Sequence, residues 1–228
     1  MAGVNRTALK LAKLAVFLAV IAPLVALVAV LAVRMGLADL KPALQVVTLR
    51  GGLAMAWIGG LAGVLSILLV FWSRPVWPYA ATALVVGLAS LLIYQVQAIR
   101  FYPAPRDVAS DLEEPPAFGR QMLSERRAER VPASQPQKCD GLEGIDSQLA
   151  PEVVAWGMKQ AGLTVMGTSP FRVEGWQQGM WFGIQHDVTV RIRPGRTDIR
   201  VAGRDQLAVG PRACDLAKKV VAEINALR

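Results

Sequence analysis

Asp187, Thr189, Arg191 and Arg193 recur at every second position, the spacing that places side chains on one face of an extended strand. Asp198 and Arg200 repeat that parity after a Pro194-Gly195 turn, and Arg204 follows closely. Arginine grips phosphate or carboxylate through two parallel N–H donors. Asp187, Arg191, Asp198, Arg200 and Arg204 are therefore the candidate binding residues, for an anionic ligand or a headgroup. The plainer reading is a solvated sheet face whose arginines sit opposite carboxylates on the neighbouring strand.

Catalytic chemistry has fewer candidates. His186 is the single histidine of the chain and stands next to Asp187. A hydrolase would need them with Ser147 or Ser169 as nucleophile, yet no nucleophile-elbow motif is present. A hydrogen-bonded structural histidine is the simpler reading. His, Cys and acids are not clustered at zinc-ligand spacing. Neither a phosphate loop nor a dinucleotide fingerprint occurs, so no metal or cofactor is expected. The chain has two cysteines, Cys139 and Cys214. As a disulfide they imply an oxidising compartment; otherwise they are two unrelated thiols. Trp176 and Trp181 flank a turn through Gly179, where they could touch a membrane or a partner, or close the edge of the core.

The elements that must position these residues read as α+β. A helix opens at Ser147 and Pro151 and ends at Gly162. Strands are expected over 163–166, 171–175, 182–193 and 197–202. A last helix from Pro211 carries Leu216, Val220, Ile224 and Leu227 in one stripe. The result is a small antiparallel sheet with helices on one face, spanning 140–228. Before it, 101–139 holds six prolines and many charges and reads as a linker. Within it, 119–130 could form a short charged helix.

Residues 1–100 are of another kind. Apolar runs at about 14–33, 53–72 and 79–99 each match the ~20 residues a helix needs to cross a bilayer. A cleaved signal peptide is a poorer reading of the first, because its apolar stretch exceeds the ~7–15 residues usual there. The expected fold class is thus a three-span transmembrane α-helical hairpin or bundle followed by the α+β domain. Residues 1–100 hold eight Lys/Arg and one acid; residues 101–228 hold seventeen and sixteen. A basic excess confined to helix flanks points to a lipid surface and away from nucleic acid. Gly52, Ala56 and Gly60, with Gly59 and Gly63 beside them, let helices approach closely. They could pack the unit itself or join two copies into a homo-oligomer. Pro23 could kink the first helix. The 34–50 connection, with Leu37, Leu40, Leu44 and Val47, could lie along the interface. Trp72, Trp77 and Tyr79 around Ser73-Arg74-Pro75 suit the headgroup level. Flanking cations number four on one side (Arg6, Lys10, Lys13, Arg74) and five on the other (Arg34, Lys41, Arg50, Arg100, Arg106). Charge alone therefore does not orient the chain.

The tail resembles the bacterial family catalogued as domain of unknown function 1499. The similarity is carried by Asp107-Val108-Ala109-Ser110-Asp111, Pro115-Pro116-Ala117-Phe118, Phe182-Gly183-Ile184, Asp187 to Ile192, Asp198 to Val201 and Arg204. It covers about 101–228, and similar proteins often carry a multi-span anchor. The resemblance implies that 107–118 docks on the domain; it brings no activity with it. Cys139 and Cys214 lie outside the matching motifs.

The functional expectation is a multi-pass protein of a bacterial inner membrane. Its periplasmic domain would bind a partner protein or an anionic envelope ligand. A membrane-tethered hydrolase and a small transporter or transporter subunit are the rivals. Against transport stand span interiors without charge.

Overall fold

In the computed structural model, which describes residues 5–100, 105–205 and 212–227, the chain divides into two units, Met1–Arg100 and Phe101–Arg228. The side chains of 97–100 are outside this description.

Small side chains make the interior of the first unit. Helix α1 (Arg6–Arg34) buries Ala8, Ala12, Ala15, Ala19, Ala22 and Ala29, while Leu14, Phe17, Val28 and Leu31 face outward. In water this arrangement would be inside out. In lipid large apolar side chains have no reason to hide, and small ones let backbones meet. Among the described residues three helices are long and apolar enough to cross a membrane: Arg6–Arg34, Leu40–Trp72 and Arg74–Val96. The chain is a membrane protein.

The second span starts earlier than its apolar run suggests. A short turn, α2 (Leu40–Pro42), leads into a π-helical stretch, Ala43–Gly52, and on into α3 (Leu53–Trp72). Most of 34–50 is thus helix continuous with the span, with Leu44 buried. Pro23 leaves α1 unbroken. A one-turn 3₁₀ helix, Arg74–Val76, closes the hairpin to α4 (Trp77–Arg100).

The small residues of α3 are used inside the chain. A Cβ on Gly59 would come within 2.9 Å of the Ala19 Cα on α1. One on Gly63 would lie 2.6 Å from the Ala83 carbonyl oxygen on α4. Ala56 is buried against Ala22 and Tyr94. Of the two expected uses of these residues, the structure shows packing within the unit: that face is filled by α1 and α4. Polar side chains of the spans find acceptors inside the unit. Ser66 donates to the Gly63 carbonyl at 2.6 Å, and Tyr94 to that of Ala22 at 3.0 Å.

The second unit is the expected antiparallel sheet with two helices on one face. Its strands are β1 (Asp107–Ala109), β2 (Thr164–Ser169), β3 (Arg172–Gln178), β4 (Gln185–Arg193) and β5 (Arg196–Gly203), in the order β1-β5-β4-β3-β2. Gly195, at φ +72°, takes the left-handed turn between β4 and β5 that other residues resist. Val173, Val188, Val190, Ile192, Ile199 and Val201 face α6 (Pro151–Gln160) and α7 (Arg212–Asn225), which supply Val154, Met158, Leu216, Val220 and Ile224. Pro211, expected to open the last helix, lies outside the described residues. Leu227 follows α7 and is exposed. Cys139 and Cys214 are joined by a disulfide, their Cα atoms 5.7 Å apart.

The sequence-predicted linker contributes strand as well as helix. Asp107, Val108 and Ala109 pair with Ala202, Val201 and Arg200 of β5, and Val108 also bridges Gln137. From β1 the chain runs through Phe118 into α5 (Arg120–Ala128). Phe118 and Met122 pack with Ala202 and Met166. Side chains from this stretch therefore reach the sheet face opposite α6 and α7.

Candidate functional site

That second face carries all five candidate binding residues. Strand pairing sets Thr189 opposite Arg200 and Arg191 opposite Asp198. The face is not a solvated one: Asp187, Thr189 and Asp198 have no exposure at all. What covers it comes from 107–129, and it covers with charge.

Arg200 donates to both oxygens of the Asp107 carboxylate, at 3.0 and 2.8 Å. It also lies over the Phe118 ring, 4.9 Å from the centroid, and Arg126 lies 5.0 Å from the same ring. Arg126 reaches Asp187 at 2.6 Å. Arg204 donates through Nε to Asp187 at 2.9 Å, and through its terminal nitrogens to Glu129 at 2.6 Å and Glu125 at 2.8 Å. At the far end Arg193 and Arg196 meet Asp198 at 2.7 and 2.8 Å. Arg191 and Arg193 both hold Asp111, at 3.2 and 2.9 Å.

Charge closes on itself here. Arg126, Arg191, Arg193, Arg196, Arg200 and Arg204 face Asp107, Asp111, Glu114, Glu125, Glu129, Asp187 and Asp198. Six cations against seven carboxylates leave a formal charge of −1. Arg191, Arg200 and Arg204 thus have carboxylate partners within the chain, some on the cover and some on the sheet itself. Titration follows the pairing. Asp111 sits below the usual carboxylate range, through the Glu114 backbone N–H and the Arg193 side chain against the opposing effect of burial. The Arg204 hydrogen bond lowers Glu125 likewise. Burial works against charge on Arg204, but Glu125, Asp187 and Glu129 outweigh it and raise its pKa.

The partners from 107–129 escape inspection of the strands alone. Asp107, Asp111, Glu114, Phe118, Glu125, Arg126 and Glu129 are about 60 to 95 residues away in sequence. One expectation bears on part of them: that 107–118 docks on the domain, the stretch that holds Asp107, Asp111, Glu114 and Phe118.

The catalytic candidates are kept apart. His186 faces away from Asp187, because adjacent residues of a strand point to opposite faces, and Asp187 is held by Arg126 and Arg204. Ser169 pairs with Arg172, which pairs with Arg191, so it lies beside the end of β4 remote from His186. The Ser147 carbonyl accepts from Thr197, the partner of Ile192, again at that far end. Five or six residues of strand correspond to roughly 17–20 Å.

His186 lines a groove of about 340 Å³ beside the turn joining β3 and β4. Met180, Trp181, Ile184 and Leu216 form its apolar wall; Arg212, Asp215 and Lys219 line it from α7. Burial, and the nearby Arg212 cation, bring His186 down to about 4, so it is neutral at physiological pH. Trp181 and Met180 are largely exposed, 62% and 84%. Trp176 lies on β3 itself, so the two tryptophans do not share the turn. The groove was legible only in part, as a pair of tryptophans; α7 joins it through the tertiary fold. Among known proteins no family model, no curated protein and no solved structure matches this chain.

Proposed function

We propose that this membrane protein displays its α+β domain outside the cytoplasm as a binding module. Its ligand would join an anionic group to an apolar or aromatic body. The groove beside the β3–β4 turn carries this reading: exposed Trp181 and Met180 meet a wall with two cations, Arg212 and Lys219, and one acid, Asp215. Apolar concavities with a few converging polar groups are the usual form of ligand sites. The Arg/Asp face that first suggested an anion site serves, in this reading, to hold the 107–129 cover in place. The family resemblance, whose motifs fall both in that cover and in the strands it covers, fits the same role.

The disulfide supports this side of the membrane. Cys139–Cys214 persists in an oxidising space, and three spans put the start of α1 on the opposite, cytoplasmic side. In a bacterium this reading corresponds to an inner-membrane protein with a periplasmic domain. Phenyl phosphate serves as the probe ligand. Calorimetry on the full chain in zwitterionic nanodiscs should show saturable binding, weakened by about tenfold or more in Trp181→Ala and Lys219→Gln, the ~1.4 kcal/mol of one charge-assisted contact. Equal binding by wild type and both variants sinks the reading.

A further inference from the structure

One end of the helical unit gathers cations without a single acid. Arg6, Lys10 and Lys13 are spaced four and three residues apart, so they lie along one face of α1, and all three are exposed. Val76 is buried against Ala8 and Ala12, which brings the α3–α4 turn, and Arg74 with it, to the same end of the unit. Lys13 Nζ lies 5.7 Å from the centre of the Tyr79 ring. Trp72 and Trp77, on either side of the turn, are exposed by 74% and 63%. Neither 5–35 nor 53–96 contains an Asp or Glu. The contrast with the second unit is informative: there each arginine of the covered sheet face meets a carboxylate, whereas here four cations are offered with none.

We propose that this end of the unit is a binding surface for the headgroups of acidic phospholipids. Cations at successive depths can reach phosphates in the headgroup layer, the lysine stems snorkelling past apolar surface. Indole and phenol rings at the same level anchor the helices at that depth. A free phosphate ion would gain from the charges but not from the rings, so the occupant is lipid. The proposal rests on neither the groove nor the side taken by the domain.

The test uses the full chain in nanodiscs containing phosphatidylcholine with one-third phosphatidylglycerol, and native mass spectrometry of the lipids retained on release. Wild type should retain phosphatidylglycerol in excess of its share. Lys10→Gln/Lys13→Gln/Arg74→Gln should lose that preference, by about fivefold per cation. The single variant Lys13→Gln gives the same reading with less risk to folding. Lys41→Gln/Arg50→Gln, at the other end, should keep the preference. Three outcomes overturn the proposal: no preference in wild type, an unchanged preference in the triple and single variants, or equal loss in the Lys41/Arg50 control. Displacement of the retained lipid by millimolar inorganic phosphate would also overturn it, in favour of a simple anion site.

Discussion

Asp187 holds two arginines, Arg126 and Arg204, while having no exposure itself. Removing one partner from such a cluster leaves charge in a place where water cannot reach it, and that costs about 3–5 kcal/mol. Asp187→Asn should therefore loosen the sheet face, read as faster hydrogen exchange in β4 and β5 of the full chain. Arg196 touches the same network from an exposed position. Its replacement by Ala should cost about 1 kcal/mol or less, because solvent screens the pair. Similar effects from the two substitutions would mean that burial does not set the energetics of this face. The sequence marks Asp187, Arg191, Asp198, Arg200 and Arg204 as one face by parity. It does not mark them as buried, because burial depends on a cover contributed from far along the chain.

Among the elements, α3 leaves little room at its glycines. Its glycines face two neighbours at once, Gly59 toward α1 and Gly63 toward α4. Gly63→Leu would drive a side chain into the Ala83 and Leu84 backbone and should destabilise the three-helix unit by about 1–3 kcal/mol. Leu61→Ile, on an outward-facing position, should change little. Detergent-driven unfolding compares the two, and equal midpoints would contradict the packing described. The small-residue spacing is visible in the sequence, but not which helix each residue meets. The π-helical lead-in, Ala43–Gly52, leaves no local trace at all. Nor does β1: its three residues fall in a proline-rich stretch, and their partners lie over 90 residues away.

At the scale of the whole molecule the lowered groups, His186, Asp111 and Glu125, agree in sign, whereas the raised Arg204 acts only in strongly alkaline solution. His186 is neutral in the fold down to about pH 4, whereas an unfolded histidine binds its proton near 6.5. Its contribution is complete above 6.5 and is lost as the pH falls toward 4. Asp111 and Glu125 are lowered, so their contributions hold above the ordinary carboxylate range and fade below it. The domain should thus be most stable above about pH 6.5 and weaken stepwise in acid. Hydrogen exchange of 105–205 across that range checks this, and a domain most stable near pH 4 would contradict it.

The sequence by itself determined the two-part organisation: spans recognisable by length and absence of charge, then an α+β domain recognisable by period. Both are local properties, written in composition and in spacings of two to four residues. Tertiary structure alone decided that the charged face is closed, that His186 and Asp187 diverge, and that a groove forms where the β3–β4 turn meets α7. Each depends on segments tens of residues apart arriving at one place, which no local spacing encodes. The acid-free end of the helical unit lies between these cases. Its charges are plain in the sequence, but only the packing of Val76 on Ala8 and Ala12 brings Arg74 to the same end as Arg6, Lys10 and Lys13.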